Sequence, residues 1–256
     1  MKKFCFTIDD NIRFFRELTE TKPKSLFEHS YLALLKRLSE KYDLKIQLNL
    51  FYRDGDFDLS QFPDNYKWEW RANATWLKLS FHSLTEKECN YKNASYDEIY
   101  SDGLKVKNEI IRFAGEDCLA KTTTIHFCLL TAEGVRAMRD IGVRGLLGLF
   151  GTEENPRLSY DCTLQESKIC RKGKIFLKND MIYGGIDCVL NKFTTEEILS
   201  RLEQLRLREQ IRIMIHEQYF YSDYKRYQAD FGEKIEKTVE KLKEMGFESG
   251  FFEETF

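Results

Sequence analysis

Segments typical of β-strands alternate with segments typical of α-helices along almost the whole chain. The strand segments are short runs of apolar, β-branched and aromatic residues, whereas the helix segments repeat apolar residues every three or four positions. The predicted strands are residues 2–8, 44–52, 76–83, 122–130, 143–150 and 211–218, with short strands near 174–177 and 181–190. The predicted helices are residues 11–20, 26–42, 95–113, 132–142, 194–208 and 233–246. Such alternation predicts a parallel sheet.

The number of these strand–helix units predicts how the sheet is arranged. So many units in a chain of 256 residues favour a closed or nearly closed (β/α) barrel over an open sheet. Barrels of about 250 residues are usually single domains. The chain has only three prolines and no low-complexity stretch, so no linker is indicated. We therefore expect an α/β fold with one TIM-like barrel domain over residues 1–256.

Charge and composition argue against several classes of protein. The formal net charge is -2, and without a basic excess neither nucleic acid nor a membrane surface is an expected partner. No apolar run is long enough to span a bilayer, and the first ten residues lack the apolar core of a signal peptide. The seven cysteines are scattered and form no CxxC pair, so no structural zinc site or redox motif is indicated. We expect a cytoplasmic protein with reduced thiols.

Two adjacent carboxylates, Asp9 and Asp10, end the first predicted strand. Carboxylates at the end of a buried apolar run are costly unless a metal, a proton or hydrogen bonds stabilise them. One interpretation is a simple helix start, in which Asp10 or Asn11 caps a helix beginning at Ile12. The other interpretation is a functional site, and the positions of the histidines favour it.

Three of the four histidines occupy the same kind of position as the acid pair. His82, His126 and His216 each come at the end of a predicted strand, whereas His29 falls within a helix. The βα loops of a barrel meet at the C-terminal ends of the strands, so we expect these side chains to share one pocket. Carboxylates combined with imidazoles suit a divalent metal such as zinc. Such a metal activates water and polarises a carbonyl group, which indicates metal-assisted hydrolysis.

In the order and spacing of these residues the chain resembles the NodB-homology polysaccharide deacetylases. These proteins are distorted (β/α) barrels that remove acetyl groups from N-acetylated sugars. Their first motif, T-F-D-D, corresponds to TIDD at residues 7–10, which implies that Asp9 is the catalytic base and Asp10 a metal ligand. Their final motif, an apolar strand ending in histidine, corresponds to residues 213–216 and implies that His216 is the general acid. The resemblance extends over residues 6–220.

The second and third motifs of the family are altered in this chain. The second, H-S-x-x-H, corresponds to residues 82–86, which implies that His82 binds the metal. Glu86 stands where the second histidine belongs, so either the Glu86 carboxylate is the third ligand or His126 completes the site. The third motif, R-x-P-Y/F-G, is not recognisable, and His126 lies near the place of its arginine.

The resemblance implies a metal-dependent hydrolase that deacetylates an N-acetylated sugar or sugar precursor, with zinc as the expected divalent metal. The alternative is a catalytically degenerate NodB-like barrel that binds carbohydrate without hydrolysis, which the altered motifs favour. In either case the expected partner is a carbohydrate, and we expect Trp76 and Tyr219 to stack on sugar faces.

The last six residues, 251–256, include three phenylalanines. A free tail of this composition would expose several aromatic rings to water, which is unfavourable. We therefore expect this segment to pack against the body of the domain.

Overall fold

The computed structural model describes residues 2–87 and 90–256, and these residues form twelve strands and eight α-helices. The strands are β1 (Lys2–Asn11), β2 (Ile46–Phe51), β3 (Arg53–Asp54), β4 (Phe57–Asp58), β5 (Leu77–Ser83), β6 (Thr122–Thr123), β7 (Gly145–Gly148), β8 (Phe176–Lys178), β9 (Met181–Gly185), β10 (Cys188–Val189), β11 (Gln210–His216) and β12 (Phe247–Ser249). The helices are α1 (Arg13–Thr21), α2 (Ser30–Tyr42), α3 (Lys67–Ala72), α4 (Tyr96–Phe113), α5 (Ala132–Ile141), α6 (Leu164–Arg171), α7 (Thr195–Gln204) and α8 (Phe231–Glu244).

The strands form two hydrogen-bonded arcs. In the first arc the order is β10-β11-β1-β2-β5, and every pair is parallel. The short β12 pairs with the first residues of β1, where β2 has not yet begun to pair. In the second arc the order is β6-β7-β9-β8, and only the β8–β9 pair is antiparallel. A separate hairpin, β3–β4, follows β2.

Backbone contacts connect the two arcs at both junctions. At one junction Leu79 forms a parallel bridge with Leu119, just before β6. At the other the chain runs from β9 directly into β10, where the Asp187 N–H group donates to the Arg212 carbonyl oxygen at 2.8 Å. The fold is therefore an α/β, distorted (β/α) barrel, in agreement with the sequence-based expectation. The distortion lies in the very short strands β6 and β10 and in the passage from β9 to β10.

Helix boundaries follow local capping signals in the sequence. The Ser95 side chain accepts a hydrogen bond from the Glu98 N–H group at the start of α4. A reciprocal capping box between Thr194 and Glu197 begins α7. At the other end of a helix, Gly142 takes the left-handed conformation that ends α5.

The segment 122–130 differs from the strand that the sequence predicts. Only Thr122–Thr123 pairs as a strand, and His126 lies in a 3-10 turn beyond it. Phe127 and Cys128 have φ angles of 58° and 57°, in the left-handed region, which is incompatible with continued strand pairing. The helix α6 lies in a stretch for which the sequence predicted only short strands.

The C-terminal segment packs against the end of the barrel at which β1 begins. Phe251 and Phe252 are 3% and 1% exposed, and Phe252 contacts Cys5 and Leu147 in a small apolar cluster. Phe256 remains 44% exposed. The packing expected for this segment is thus confirmed for two of its three phenylalanines.

Two further observations concern membrane-spanning helices and cysteine thiols. Within residues 2–87 and 90–256, no helix combines the length and the apolar character that a membrane crossing requires. Six cysteines of this part of the chain are buried free thiols: Cys5, Cys118, Cys128, Cys162, Cys170 and Cys188.

Candidate metal centre

A pocket of about 490 Å³ opens at the C-terminal ends of the barrel strands. Its lining includes seven of the eight residues that the sequence indicated for the site: Asp9, Asp10, His82, Glu86, His126, His216 and Tyr219. These residues come from β1, β5 and β11 and from the loops that follow β5, β6 and β11. The structure therefore brings together groups that are up to about two hundred residues apart in the chain, as the polarity of a (β/α) barrel predicts.

A bulge at the end of β1 directs two adjacent carboxylates into this pocket. Neighbouring residues of a regular strand point to opposite faces. Here the register between β1 and β2 shifts between Ile8 and Asn11, and Asp10 has a φ angle of 64°. The Asn11 side-chain amide donates to the carbonyl oxygens of Ile8 at 2.6 Å and Asn49 at 3.1 Å, which holds the bulge in place. Both Asp9 and Asp10 consequently line the pocket.

Three potential metal-ligand atoms converge beside this bulge. His82 Nε2 lies 3.0 Å from Asp10 Oδ1 and 3.1 Å from His126 Nδ1, and the latter lies 3.5 Å from Asp10 Oδ1. All three side chains are buried. Ligands around a tetrahedral zinc ion with bonds of about 2.0–2.1 Å are separated by about 3.3 Å. The three atoms therefore have the spacing that one zinc ion requires.

The outer hydrogen bonds of the two imidazoles define which nitrogen atoms can bind a cation. His82 Nδ1 bonds to the Thr124 carbonyl oxygen, and His126 Nε2 bonds to the Glu86 carbonyl oxygen at 3.0 Å. Carbonyl oxygens only accept, so these outer nitrogens carry hydrogens, and the facing nitrogens are left to bind either a proton or a cation. Asp10 Oδ1 is buried and has no hydrogen-bond partner of its own. A single proton would link only two of the three facing atoms, whereas a divalent cation would bind Asp10 Oδ1, His82 Nε2 and His126 Nδ1 together.

Glu86 contributes its backbone, rather than its carboxylate, to this arrangement. Its side chain is exposed, and it is the Glu86 carbonyl oxygen that accepts from His126. In the described part of the chain the one group of this kind consists of Asp10, His82 and His126. Of the two sequence-based alternatives for the third ligand, the geometry therefore favours His126.

Asp9 and His216 form a second pair on neighbouring strands. They are partners in the parallel register of β1 and β11. Asp9 Oδ1 accepts a hydrogen bond of 2.7 Å from the Asn49 side-chain amide. His216 Nδ1 lies 2.8 Å from Asn191 Oδ1, and because an amide oxygen only accepts, Nδ1 carries a hydrogen. The Nε2 atom of His216 is therefore left to hold or release a proton.

Burial and mutual charge shift the pKa values of the titratable groups in different directions. Burial raises the pKa of Asp9, against the opposing effect of His82 and His216. Burial acts in the same sense on Asp10, but the close imidazoles of His126 and His82 outweigh it and hold the pKa of Asp10 well below its usual value. Burial lowers the pKa of His82, yet the charges of Asp9 and Asp10 raise it overall. Asp10 is thus the carboxylate of this pair that stays ionised most readily.

The two aromatic residues expected to contact sugar have different locations. Tyr219 lines the pocket, with its ring 6.2 Å from the His216 ring. Trp76 directly precedes β5, six residues before His82, which puts it at the opposite end of the strand, about 20 Å away. Its indole N–H group donates to Asn73 at 2.8 Å, and its ring packs on Phe27. The assignment of Trp76 to a substrate site is therefore corrected, because Trp76 stabilises the other end of the barrel.

Several pocket residues have no obvious signal in the sequence. Gln218 Nε2 donates to Asp10 Oδ2 at 2.7 Å, and Gln218 lies only two residues after His216. Further lining residues lie in 3-10 turns or loops, where neither periodicity nor a motif identifies them: Phe127, Arg157, Asn191 and Lys192. Contacts of this kind depend on how the loops fold over the end of the barrel.

The sequence matches no protein-family model and no curated protein. Solved structures, in contrast, share its fold. A family 4 acetyl xylan esterase from Clostridium thermocellum, in complex with a cobalt ion, aligns with a TM-score of 0.57 and 14% identity over 100% of this chain and 90% of that chain. A peptidoglycan N-acetylglucosamine deacetylase aligns with a TM-score of 0.56 and 11% identity over 99% of this chain and 87% of that chain.

A third similar structure is a pseudoenzyme. The wild-type CE4 family pseudoenzyme from Bacillus anthracis aligns with a TM-score of 0.53 and 15% identity over 99% of this chain and 64% of that chain. Taken together, these similarities show that the chain has the fold of the CE4 deacetylases, in agreement with the resemblance seen in its motifs.

Proposed function

We propose that the protein is a metal-dependent deacetylase that hydrolyses the C–N bond of an acetamido group in an N-acetylated sugar or sugar precursor. The observation that carries this proposal is the convergence of Asp10 Oδ1, His82 Nε2 and His126 Nδ1 beside the Asp9–His216 pair. The acetyl esterase and the deacetylase that share the fold support acetyl removal as the reaction.

Asp10, His82 and His126 would hold the divalent metal, and zinc is the metal we propose. When bound, the metal would lower the pKa of water toward 7 and polarise the acetyl carbonyl group. The cobalt ion in the similar esterase supports a divalent cation in a barrel of this kind. Gln218, which donates to Asp10 Oδ2, would hold the carboxylate so that Oδ1 faces the cation.

Asp9 and His216 would move the protons. Asp9, oriented by Asn49, would accept a proton from the attacking water, and His216, oriented by Asn191, would donate a proton to the departing amine. Tyr219, at the edge of the pocket, would contact the sugar ring. We propose the cytoplasm as the location, which the unpaired buried cysteines support.

The second candidate is a barrel that binds carbohydrate without hydrolysis. Two observations favour it: the pseudoenzyme that shares the fold, and the unmatched second and third motifs, in which Glu86 and His126 replace other residue types. A binding protein of this kind would need neither a bound cation nor the proton-transfer pair. Metal content and hydrolysis together therefore separate the two candidates.

The test combines metal analysis with release of acetate from N-acetylglucosamine oligomers. We expect the wild type to bind one zinc ion and release acetate, and Asp9→Asn and His216→Ala to lower kcat by about 10²–10⁴-fold while keeping the metal. Asp64→Asn is the control, because Asp64 is an exposed carboxylate outside the pocket. The binding-protein function would be established instead if the wild type binds the sugar, does not bind zinc and does not hydrolyse any acetylated sugar.

A further inference from the structure

One wall of the pocket carries basic side chains that the hydrolysis itself does not use. Arg157 and Lys192 line the pocket together with Asp9 and His216, and both basic residues are exposed. Within residues 2–87 and 90–256, neither of them forms an ion pair with a carboxylate. We call Arg157 and Lys192 the basic wall. Two cations that line the same pocket without a carboxylate partner among the described residues would bind a ligand of opposite charge favourably.

Arg157 is held in position before any ligand binds. Its guanidinium Nη2 donates to the Phe127 carbonyl oxygen at 2.5 Å. Its backbone N–H group donates to the Phe150 carbonyl oxygen at 2.9 Å, and its own carbonyl oxygen accepts from Ser167 Oγ at 2.9 Å. The guanidinium group has five N–H donors, so most of them remain for a ligand in the pocket. A pre-positioned arginine loses little conformational entropy on binding.

A cavity that adjoins the pocket has a different charge arrangement. A second cavity of about 350 Å³ adjoins the pocket and shares Asp10 with it. Its two arginines already have acidic partners, since Arg13 pairs with Asp223 at 2.5 Å and Arg16 with Asp54 at 3.6 Å. The positive charge of these two arginines is therefore already neutralised, whereas Arg157 and Lys192 have no carboxylate partner in the described part of the chain.

We propose that the substrate carries an anionic group, a carboxylate or a phosphate, which Arg157 and Lys192 bind while the acetamido group lies at Asp10, His82 and His126. This inference rests on the proposed deacetylase function, because that function defines where the acetamido group lies. The fork of an arginine matches the paired oxygens of either anion, and a lysine adds a point charge. A neutral acetylated sugar would leave both cations without a partner.

The test measures binding of three probes by NMR titration: N-acetylglucosamine 1-phosphate, N-acetylmuramic acid and neutral N-acetylglucosamine. The proteins are the wild type, Arg157→Gln, Lys192→Gln and the control Lys174→Gln. Lys174 is an exposed lysine in a cavity near the start of β11, at the other end of that strand from His216. Each wall substitution should raise the Kd of an anionic probe about tenfold, which corresponds to about 1.4 kcal/mol, and leave the Kd of the neutral sugar unchanged.

Two further experiments distinguish anion binding by the basic wall from anion binding by a metal, and compare phosphate with carboxylate. Titrations are repeated on Asp10→Ala and on chelator-treated wild type, so that phosphate bound to a metal cannot account for the result. Raised salt should weaken binding of the anionic probes only. Comparison of the phosphate and the carboxylate probes identifies which anion the wall prefers.

The outcomes distinguish this inference from the proposed function. Equal binding of neutral and anionic probes, or no change in Arg157→Gln and Lys192→Gln, overturns the anionic substrate even when the wild type deacetylates neutral sugars. Binding of an anionic probe that depends on Arg157 supports anion binding by the basic wall even when no acetylated sugar is hydrolysed. In that case the proposed deacetylase function is wrong, and the anion site is retained.

Discussion

At the scale of single residues, the buried Oδ1 atom of Asp10 is the feature that most restricts the chemistry of the site. It lies between two imidazole nitrogens and has no hydrogen-bond partner. The outer nitrogens of His82 and His126 are bound to backbone carbonyl oxygens, so their inner nitrogens are free to accept a cation. An arrangement of three acceptors is unfavourable in a buried site unless a positive charge lies between them.

The identity of the third ligand leads to a prediction at this scale. We expect His126→Ala to weaken zinc binding by more than about 100-fold, because even the outer partners of a metal ligand change affinity by about 10–100-fold. Glu86→Ala should retain zinc, because the Glu86 side chain is exposed and only its backbone meets His126. Zinc affinity is measured by competition with a chromophoric chelator. Loss of zinc in Glu86→Ala together with retention in His126→Ala would reverse the assignment.

At the scale of secondary-structure elements, one glutamate connects the end of β11 to the start of α1. The helix begins after Ile12, whose side chain provides no cap. Glu217 replaces that cap, since its carboxyl group accepts from the N–H groups of Ile12 at 2.8 Å, Arg13 at 3.0 Å and Phe14 at 2.9 Å. The Tyr221 hydroxyl group donates to the same side chain. Glu217 thereby fixes the loops that follow the two strands carrying Asp10 and His216.

Glu217 should make the stability of the fold depend on pH. Burial raises its pKa to about 7, although the three N–H donors and the Tyr221 hydroxyl group oppose the shift. Below about pH 4.5 the carboxyl group is protonated in both states. Between about pH 4.5 and 7 only the folded state keeps the proton, so the free energy of unfolding should fall as pH rises, by up to about 3 kcal/mol.

Urea unfolding of the wild type and of Glu217→Gln from pH 4.5 to 8 measures this effect. Glutamine does not titrate, so the stability advantage of the wild type over the variant should shrink as pH rises. Glu209→Gln, at an exposed position, is the control and should change stability by less than about 0.5 kcal/mol throughout. An advantage that grows with pH would mean that the helix N–H groups keep Glu217 ionised.

At the scale of the whole molecule, the C-terminal segment closes the end of the barrel opposite the pocket. Phe252 fits against strands that carry glycine at the contact points: a Cβ atom at Gly145 would lie 3.2 Å, and one at Gly184 2.7 Å, from its ring. The Arg212 guanidinium group lies over the same ring at 5.5 Å. The pocket end and the closed end of the barrel are thus built from different parts of the same strands.

Truncation of the Phe252 ring should lower stability without affecting the candidate metal centre. Phe252→Ala should lower the free energy of unfolding by about 3–5 kcal/mol, because it removes a fully buried aromatic ring and leaves a cavity. Phe256→Ala is the matched control and should cost about 1 kcal/mol or less, since Phe256 is 44% exposed. Denaturant titration provides the stabilities, and zinc affinity of both variants should equal that of the wild type. A loss of zinc affinity in folded Phe252→Ala would show that the two ends are coupled.

Sequence patterns predicted those parts of the fold that depend on local physics. Capping residues such as Ser95 and Thr194 marked helix starts, because their hydrogen bonds involve residues only three positions away. The break after β6 was missed, because Phe127 and Cys128 adopt left-handed backbone conformations without the glycine that usually signals them. Trp76 was assigned to the sugar site because aromatic rings stack on sugar faces, but it precedes β5 and therefore lies at the opposite end of that strand from His82.

The sequence by itself determined the alternation of strands and helices, the barrel class and the ends of strands at which polar groups lie, since each is encoded within a few neighbouring residues. Only the tertiary structure decided that the inner nitrogens of His82 and His126 face the same Asp10 oxygen and that the Glu86 carboxylate does not. The physical reason is that a metal site requires atoms to agree within a few tenths of an ångström. In this protein that agreement depends on the bulge of β1 and on a loop conformation after β6, both of which long-range contacts impose.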